Sequence, residues 1–316
     1  MPTRYTGVSR SILDAVHDTP LLDLGDGVFA KCEFLNPSGS IKARIATYII
    51  ERAEKEGRLK PGDTIVEATS GNTGNAFSMV AAVKGYRMIV VMPEGLTSER
   101  VAISRAYGAE VLLSGDFHVN EALERARELG QRDGFFFPGQ FESEWNVQEN
   151  REILGPEILS QLPDGRRPDA FVHGVGTGGT LIGVGQAFRA ANPEVRLFAM
   201  EPSESKTLLC GEVDLHGIEG ISDGFVPGIF ARHREMVSDF LSVSSSDAVA
   251  AMRDLARKRG LLCGSSSGAH VIAAHRIRER YPELETVVTV LADKGEKYLS
   301  DYYMQQSGEP EAPPLH

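Results

Sequence analysis

Short runs of β-branched and aliphatic residues recur along the chain, and amphipathic stretches separate them. Asp63–Glu67 (DTIVE) reads as a buried strand, followed by a glycine turn and a helix through Phe77–Val83. Arg87–Met92 predicts a second strand, Ser98–Tyr107 a helix, Glu110–Leu113 a strand and Val119–Glu128 a helix. Beyond about residue 148 the alternation resumes, with strands at Asp169–His173, Glu194–Met200, Leu261–Cys263 and Thr286–Leu291. Nearly continuous apolar strands separated by helices predict parallel sheets covered on both faces. A helix Arg44–Lys55 and one starting at Ala269 complete the pattern, and the polar, proline-rich stretch after Gln306 is expected to fray.

Composition narrows the choices. At 316 residues the chain has room for two subdomains, and 41% hydrophobic with 24% charged residues is ordinary for a globular protein. The net charge of −11 repels phosphate backbones, so no nucleic-acid partner is expected. The apolar runs are too short for a membrane span, and the N-terminal MPTRYTGVSRSIL lacks the apolar core of a signal peptide. Three scattered cysteines, Cys32, Cys210 and Cys263, suit a reducing cytoplasm, and the eight histidines show no metal spacing, so no metal is expected.

Glycine is clustered, and the clusters carry the candidate chemistry. In Asn36–Arg44 (NPSGSIKAR), a turn delivers Lys42 to the start of a helix, where the helix dipole disfavours an ammonium. Lys42 is either a solvated lysine or a nucleophilic amine suited to Schiff-base chemistry. Thr69–Gly74 (TSGNTG) follows a strand and opens a helix, which describes either helix capping or an anion cradle of amides and hydroxyls. Gly174–Thr180 (GVGTGGT) satisfies the dinucleotide fingerprint, with Glu201 at the distance of a ribose-binding acid. Thr177 and Thr180, however, add hydroxyls suited to a terminal phosphate. Gly264–Gly268 (GSSSG) caps a helix or sets a neutral hydroxyl against a heterocycle nitrogen.

Taken in order, DTPLLDL, NPSGSIKAR, EATSGNTG, VVMPE, YGAEV, GPEI, GVGTGGT, GFVP, LLCGSSSGA and GEKYLS resemble the cysteine synthase and cystathionine β-synthase family of fold-type II pyridoxal-phosphate enzymes, from Ile12 to Tyr302. The resemblance decides against the dinucleotide reading. It implies an α/β fold of two open twisted, mostly parallel sheets flanked by helices, with the cofactor in the cleft between subdomains. Residues 1–39 with 149–316 would form the large cofactor-binding subdomain, and 40–148 a small mobile substrate-binding one.

The resemblance further implies that Lys42 forms the internal aldimine with pyridoxal 5'-phosphate and serves as base for the α-proton. Asn72 would meet the cofactor's phenolic oxygen. Gly176, Thr177, Gly178, Gly179 and Thr180 would hold its phosphate, and Ser266 its pyridine nitrogen. Thr69, Ser70, Gly71, Thr73 and Gln140 would bind the substrate carboxylate. The implied reaction is β-replacement on an activated L-serine through an aminoacrylate, foremost O-acetylserine plus sulfide to L-cysteine, by a cytoplasmic homodimer. Alternatives are cystathionine β-synthase, a synthase with another nucleophile, or a non-catalytic cofactor-binding regulator. The chain departs from the family at Gly220–Phe225 (GISDGF), where Ser222 replaces a second glycine and Asp223 follows. By family analogy, Gly220, Ser222 and Asp223 border the second substrate.

Overall fold

A computed structural model describes residues 8–95, 98–116 and 119–303. A hairpin of β1 (Leu21–Gly25) and β2 (Val28–Cys32) precedes α1 (Lys42–Lys55), β3 (Thr64–Ala68), α2 (Asn72–Lys84), β4 (Arg87–Glu94), α3 (Ser98–Ala106), β5 (Glu110–Asp116), α4 (Val119–Gly130) and β6 (Phe135–Phe136). Then come α5 (Glu144–Glu149), a π-helical segment (Asn150–Leu154), α6 (Gly155–Gln161), β7 (Ala170–Gly174), α7 (Gly179–Ala191) and β8 (Arg196–Pro202). The described chain closes with α8 (Gly228–Arg232), β9 (Asp239–Val243), α9 (Ser245–Arg259), α10 (Ser265–Arg280) and β10 (Val287–Leu291).

The chain divides into two compact units, Met1–Pro20 with Leu35–Gly139, and Leu21–Phe34 with Gln140–His316. The first holds a four-stranded sheet, order β5-β4-β3-β6, with every pairing parallel. The second holds a six-stranded sheet, order β1-β2-β10-β7-β8-β9, antiparallel only at the β1–β2 hairpin. All five residues of β2, β3, β7 and β10 are buried, as strands covered on both faces must be.

In the second unit Val172, Phe198, Met200, Ala273, Ile277 and Val287 share one core. Each large side chain there contributes about 1.5–3 kcal/mol through burial. Lys31 breaks the apolar run of β2 and is fully buried. Its ammonium is 2.6 Å from both Glu157 Oε1 and Gln161 Oε1 of α6, so the charge is neutralised where it stands.

Three sequence expectations need amendment. Leu261–Cys263 is not a strand; Cys263 makes one isolated bridge to Lys294, because no neighbouring strand runs alongside it. The helix expected from Ala269 starts at Ser265, and the one expected from Arg44 starts at Lys42. The stretch after Gln306 lies outside the described residues.

Candidate active site

In the first unit, β3 delivers the Thr69–Gly74 turn and α1 delivers Lys42. The backbone amides of Ala43 and Arg44 bond back to Ser40 and Ile41, which winds the chain into α1 with half-buried Lys42 in its first turn. No side chain caps this helix. Ser38 and Ser40, just before it, are buried with hydroxyls that have no hydrogen-bond partner. Two residues past Lys42, the fully buried Arg44 guanidinium reaches His17 Nδ1 at 2.9 Å and ties His17–Thr19 to the helix.

Helix α2 begins at Asn72, again without a side-chain cap, although Thr69, Ser70 and Thr73 all stand near its start. Thr69 Oγ1 instead accepts the Gly71 N–H at 2.9 Å, folding the turn on itself. Behind the turn lies Arg100 of α3, 4% exposed. Its Nη1 donates to Ser70 O at 3.4 Å, and a Cβ on Gly71 would stand 3.1 Å from its Cδ. A buried cation against a loop of amides and hydroxyls favours an anion there. The sequence reading missed Arg100, because nothing local in SERVAISR links it to a turn thirty residues earlier.

In the second unit, β7 runs into the Gly174–Gly179 turn and then α7. Gly178 is left-handed (φ 86°), and a Cβ there would stand 3.0 Å from Phe230 Cβ, so the position demands glycine on both counts. No side chain caps α7. Thr177 Oγ1 accepts from Gly179 N at 3.2 Å and from Asn146 Nδ2 at 3.0 Å, leaving its own proton to donate. Asn146 Nδ2 also reaches Gln140 O at 3.0 Å, and so joins two residues that were singled out separately. Asn146 is near enough because Gly179 and Gly183, one turn apart on α7, replace side chains that would collide with Asn146 and Asn150. The widened helical turn at Asn150–Leu154 follows directly.

Among the three serines opening α10, two have structural partners. Ser265 Oγ accepts Glu219 N at 3.0 Å and Ser267 Oγ accepts Ala292 N at 2.9 Å. Ser266, 4% exposed, takes part in none of the described side-chain hydrogen bonds. Glu201 is fully buried at the end of β8 and accepts Leu208 N at 2.8 Å; burial raises its pKa. It closes its own loop and is not presented to a ribose, an independent reason to set the dinucleotide reading aside.

The Gly220–Asp223 loop lies on the same turn. Ser222 N donates to Val175 O at 3.0 Å, and a Cβ on Gly176 would stand 2.5 Å from Gly220 O. Ser222 is left-handed (φ 53°), a conformation that costs a non-glycine residue about 1–2 kcal/mol. Its hydroxyl is buried and unpartnered. Asp223 beside it is half-buried and Gly220 exposed.

These residues fit the expected cofactor. Backbone amides at an uncapped helix start, with the Thr177 proton, suit a phosphate monoester. A neutral hydroxyl at Ser266 suits an unprotonated pyridine nitrogen. Among the described residues, no group of three His, Cys, Asp or Glu could hold a metal ion, and no helix is long and apolar enough to cross a membrane.

The family described as pyridoxal-phosphate dependent enzyme matches residues 12–293. A cysteine synthase of Staphylococcus aureus is 43% identical over 274 residues, covering 86% of this chain and 87% of that one. An O-ureido-L-serine synthase of Streptomyces lavendulae is 42% identical over 300 residues, covering 93% and 92%. The crystal structure of an O-ureido-L-serine synthase superposes with a TM-score of 0.88 at 40% identity, covering 96% of this chain and 98% of that one.

Proposed function

The chain belongs to the pyridoxal-phosphate dependent enzyme family, as an enzyme of cysteine synthase type, and on that premise we propose that it converts O-acetyl-L-serine and sulfide to L-cysteine and acetate. The observation that carries the site assignment concerns helix capping. The helices bearing Lys42, Asn72, Thr180 and Ser266 all start without a side-chain cap, although hydroxyls stand near each start. Capping does operate in this chain: Ser244 accepts Asp247 N at the start of α9. At the α1 start the buried Ser38 and Ser40 hydroxyls have no hydrogen-bond partner, and at the α7 start the Thr177 hydroxyl keeps its proton to donate, so these groups can serve a ligand.

The roles follow from residue chemistry. Pyridoxal phosphate, when bound, supplies the electron sink for charge at the substrate Cα. Gly176–Thr180 would hold its phosphate, Asn72 its phenolic oxygen and Ser266 its ring nitrogen. Lys42 would hold it covalently through Nζ and, once replaced by the substrate amine, would take the α-proton at that atom. Thr69, Ser70, Gly71, Thr73 and Gln140 would orient the α-carboxylate, with Arg100 behind the turn. The bond between the β-carbon and the acetoxy oxygen breaks, acetate leaves with its electron pair, hydrosulfide forms a C–S bond at the same β-carbon, and Lys42 Nζ would return the proton to Cα. The second unit would thus be the cofactor-binding subdomain and the first the mobile substrate-binding one, in a cytoplasmic homodimer.

A second reading keeps the first half of this reaction and changes the nucleophile. Strained, unpartnered Ser222 and half-buried Asp223 would line the entry of the second substrate, and a carboxylate there disfavours anions. The test is product analysis. The full chain with pyridoxal phosphate receives O-acetylserine, serine or O-phosphoserine, each with sulfide, homocysteine or an amine. L-Cysteine and acetate in equal amounts support the first reading. Acetate release matched by another β-substituted alanine supports the second, and no leaving-group release from any donor overturns both.

A further inference from the structure

Strand β10 pairs with β2 along its whole length, but with β7 only at Val287↔Ala170 and Val288↔Phe171. In a parallel ladder a residue's N–H reaches the carbonyl just before its partner. The first rung does so, with Ala170 N donating to Thr286 O at 3.2 Å. Carried on, this register sets Leu291 opposite Gly174 and aims Gly174 N–H at Val290 O.

That rung is bridged by a side chain. Gly174 N donates to His270 Nε2 at 2.7 Å, and His270 Nδ1 lies 2.7 Å from Val290 O. Because Nε2 accepts, the proton sits on Nδ1 and is donated to Val290. Beside it, Thr289 Oγ1 donates to Val172 O at 2.9 Å, in place of the next backbone rung. The carbonyl of Gly174 is held by a second imidazole, His173 Nδ1, at 2.6 Å, and the two rings lie 4.5 Å apart. A Cβ at 174 would stand 2.9 Å from Ile221 Cγ2 and 3.0 Å from both His270 Nε2 and Met200 Cε, so glycine leaves room for the wedge among these neighbours.

The position of the wedge gives it a consequence. Gly174 is the last residue before the Val175–Gly179 turn, and His270 lies on α10 four residues after Ser266, on the same helical face. Gly174 and the turn after it lie at the carboxyl end of β7, the end of an open parallel sheet where ligands bind.

We propose that His270, spliced into the β7–β10 ladder between Gly174 N and Val290 O, is a positioning residue that sets the phosphate-binding turn and couples it to the Ser266 end of α10. This rests on the reading of Gly176–Thr180 as the phosphate turn. His270 touches no cofactor atom in this account; it acts through Gly174.

The test measures pyridoxal phosphate and pyridoxal, which lacks the phosphate, binding to the full chain freed of cofactor, followed by fluorescence titration. His270→Leu should weaken pyridoxal phosphate about tenfold, the effect of one lost orienting hydrogen bond, and change pyridoxal by less than about twofold. His270→Gln should restore the phosphate preference, since its amide offers an acceptor and a donor at similar spacing. Equal loss of both ligands, or loss of neither, overturns the proposal. If His270→Leu does not fold, His270→Asn carries the same comparison, because its shorter amide cannot span the rung; equal affinities in Asn and Gln variants would overturn it. A wild-type chain that binds neither ligand would instead sink the cofactor reading on which the proposal rests.

Discussion

The Asn146 amide donates to Thr177 Oγ1 at 3.0 Å, and the same nitrogen reaches Gln140 O at 3.0 Å. One buried side chain therefore orients a hydroxyl of the proposed phosphate turn and the backbone of a proposed carboxylate-binding residue. Asn146→Ala removes one donor each from Gln140 O and Thr177 Oγ1, although Thr177 Oγ1 still accepts from Gly179 N, and each lost hydrogen bond costs about 0.5–1.5 kcal/mol. The expected result is a lower unfolding midpoint in urea and weaker binding of pyridoxal phosphate than of pyridoxal, read by titration. Unchanged phosphate preference would make Asn146 a packing residue only.

Ser222→Gly should stabilise the protein. Glycine relieves the left-handed strain at φ 53° and removes a buried hydroxyl with no partner. A gain of about 1–2 kcal/mol is expected from the backbone alone, read as a higher urea midpoint. Such strain persists where function requires it, so the same variant should alter the relative rates with sulfide, homocysteine and an amine. Greater stability with unaltered nucleophile preference would remove Ser222 from the second-substrate site.

Arg100→Met tests the cation behind the Thr69–Asn72 turn. Hydrogen bonds involving charged groups are worth about 1.5–3 kcal/mol, so KM for the amino-acid substrate should rise about tenfold or more. Affinity for pyridoxal phosphate should stay within about twofold. Comparable loss of both would place Arg100 in general packing of the first unit.

Burial pushes the Cys32 and Cys263 thiols from an ordinary 9.0 up to about 12, whereas Cys210 is exposed. Native protein at pH 8 should therefore give one thiol to Ellman's reagent at Cys210, and all three only after unfolding. Between about 9 and about 12 the unfolded chain binds fewer protons at these two sites than the native one. Their contribution to stability is complete below that window and declines as pH climbs through it. Rapid native reaction of Cys32 or Cys263 would contradict their placement.

Much of the fold was legible because β3, β4, β7, β8 and β10 are runs of Val, Ile, Phe and Met that only a doubly covered sheet accommodates. The β1–β2 hairpin was missed, although its signal was present. Asp26-Gly27 is a two-residue turn with both residues at positive φ, 53° and 78°, between two short, largely apolar runs. Leu261–Cys263 misled in the other direction, since apolarity reports burial and not pairing. The glycine and hydroxyl clusters stood out because close backbone approach restricts residue type locally. Arg100, Asn146 and His270 did not, since each acts on a partner 30, 31 or 96 residues away in the chain. No local pattern marks a histidine that will interrupt a strand ladder.

The central claim is that Lys42, in the first turn of α1, holds pyridoxal phosphate. Borohydride reduction of the full chain loaded with cofactor, followed by proteolysis and peptide mass analysis, tests it most directly. The account predicts the reduced cofactor on the peptide containing Lys42, and its loss in Lys42→Ala with an unchanged circular dichroism spectrum. A cofactor mass on any other lysine, or none on a protein that retains the bound cofactor's absorbance, would contradict it.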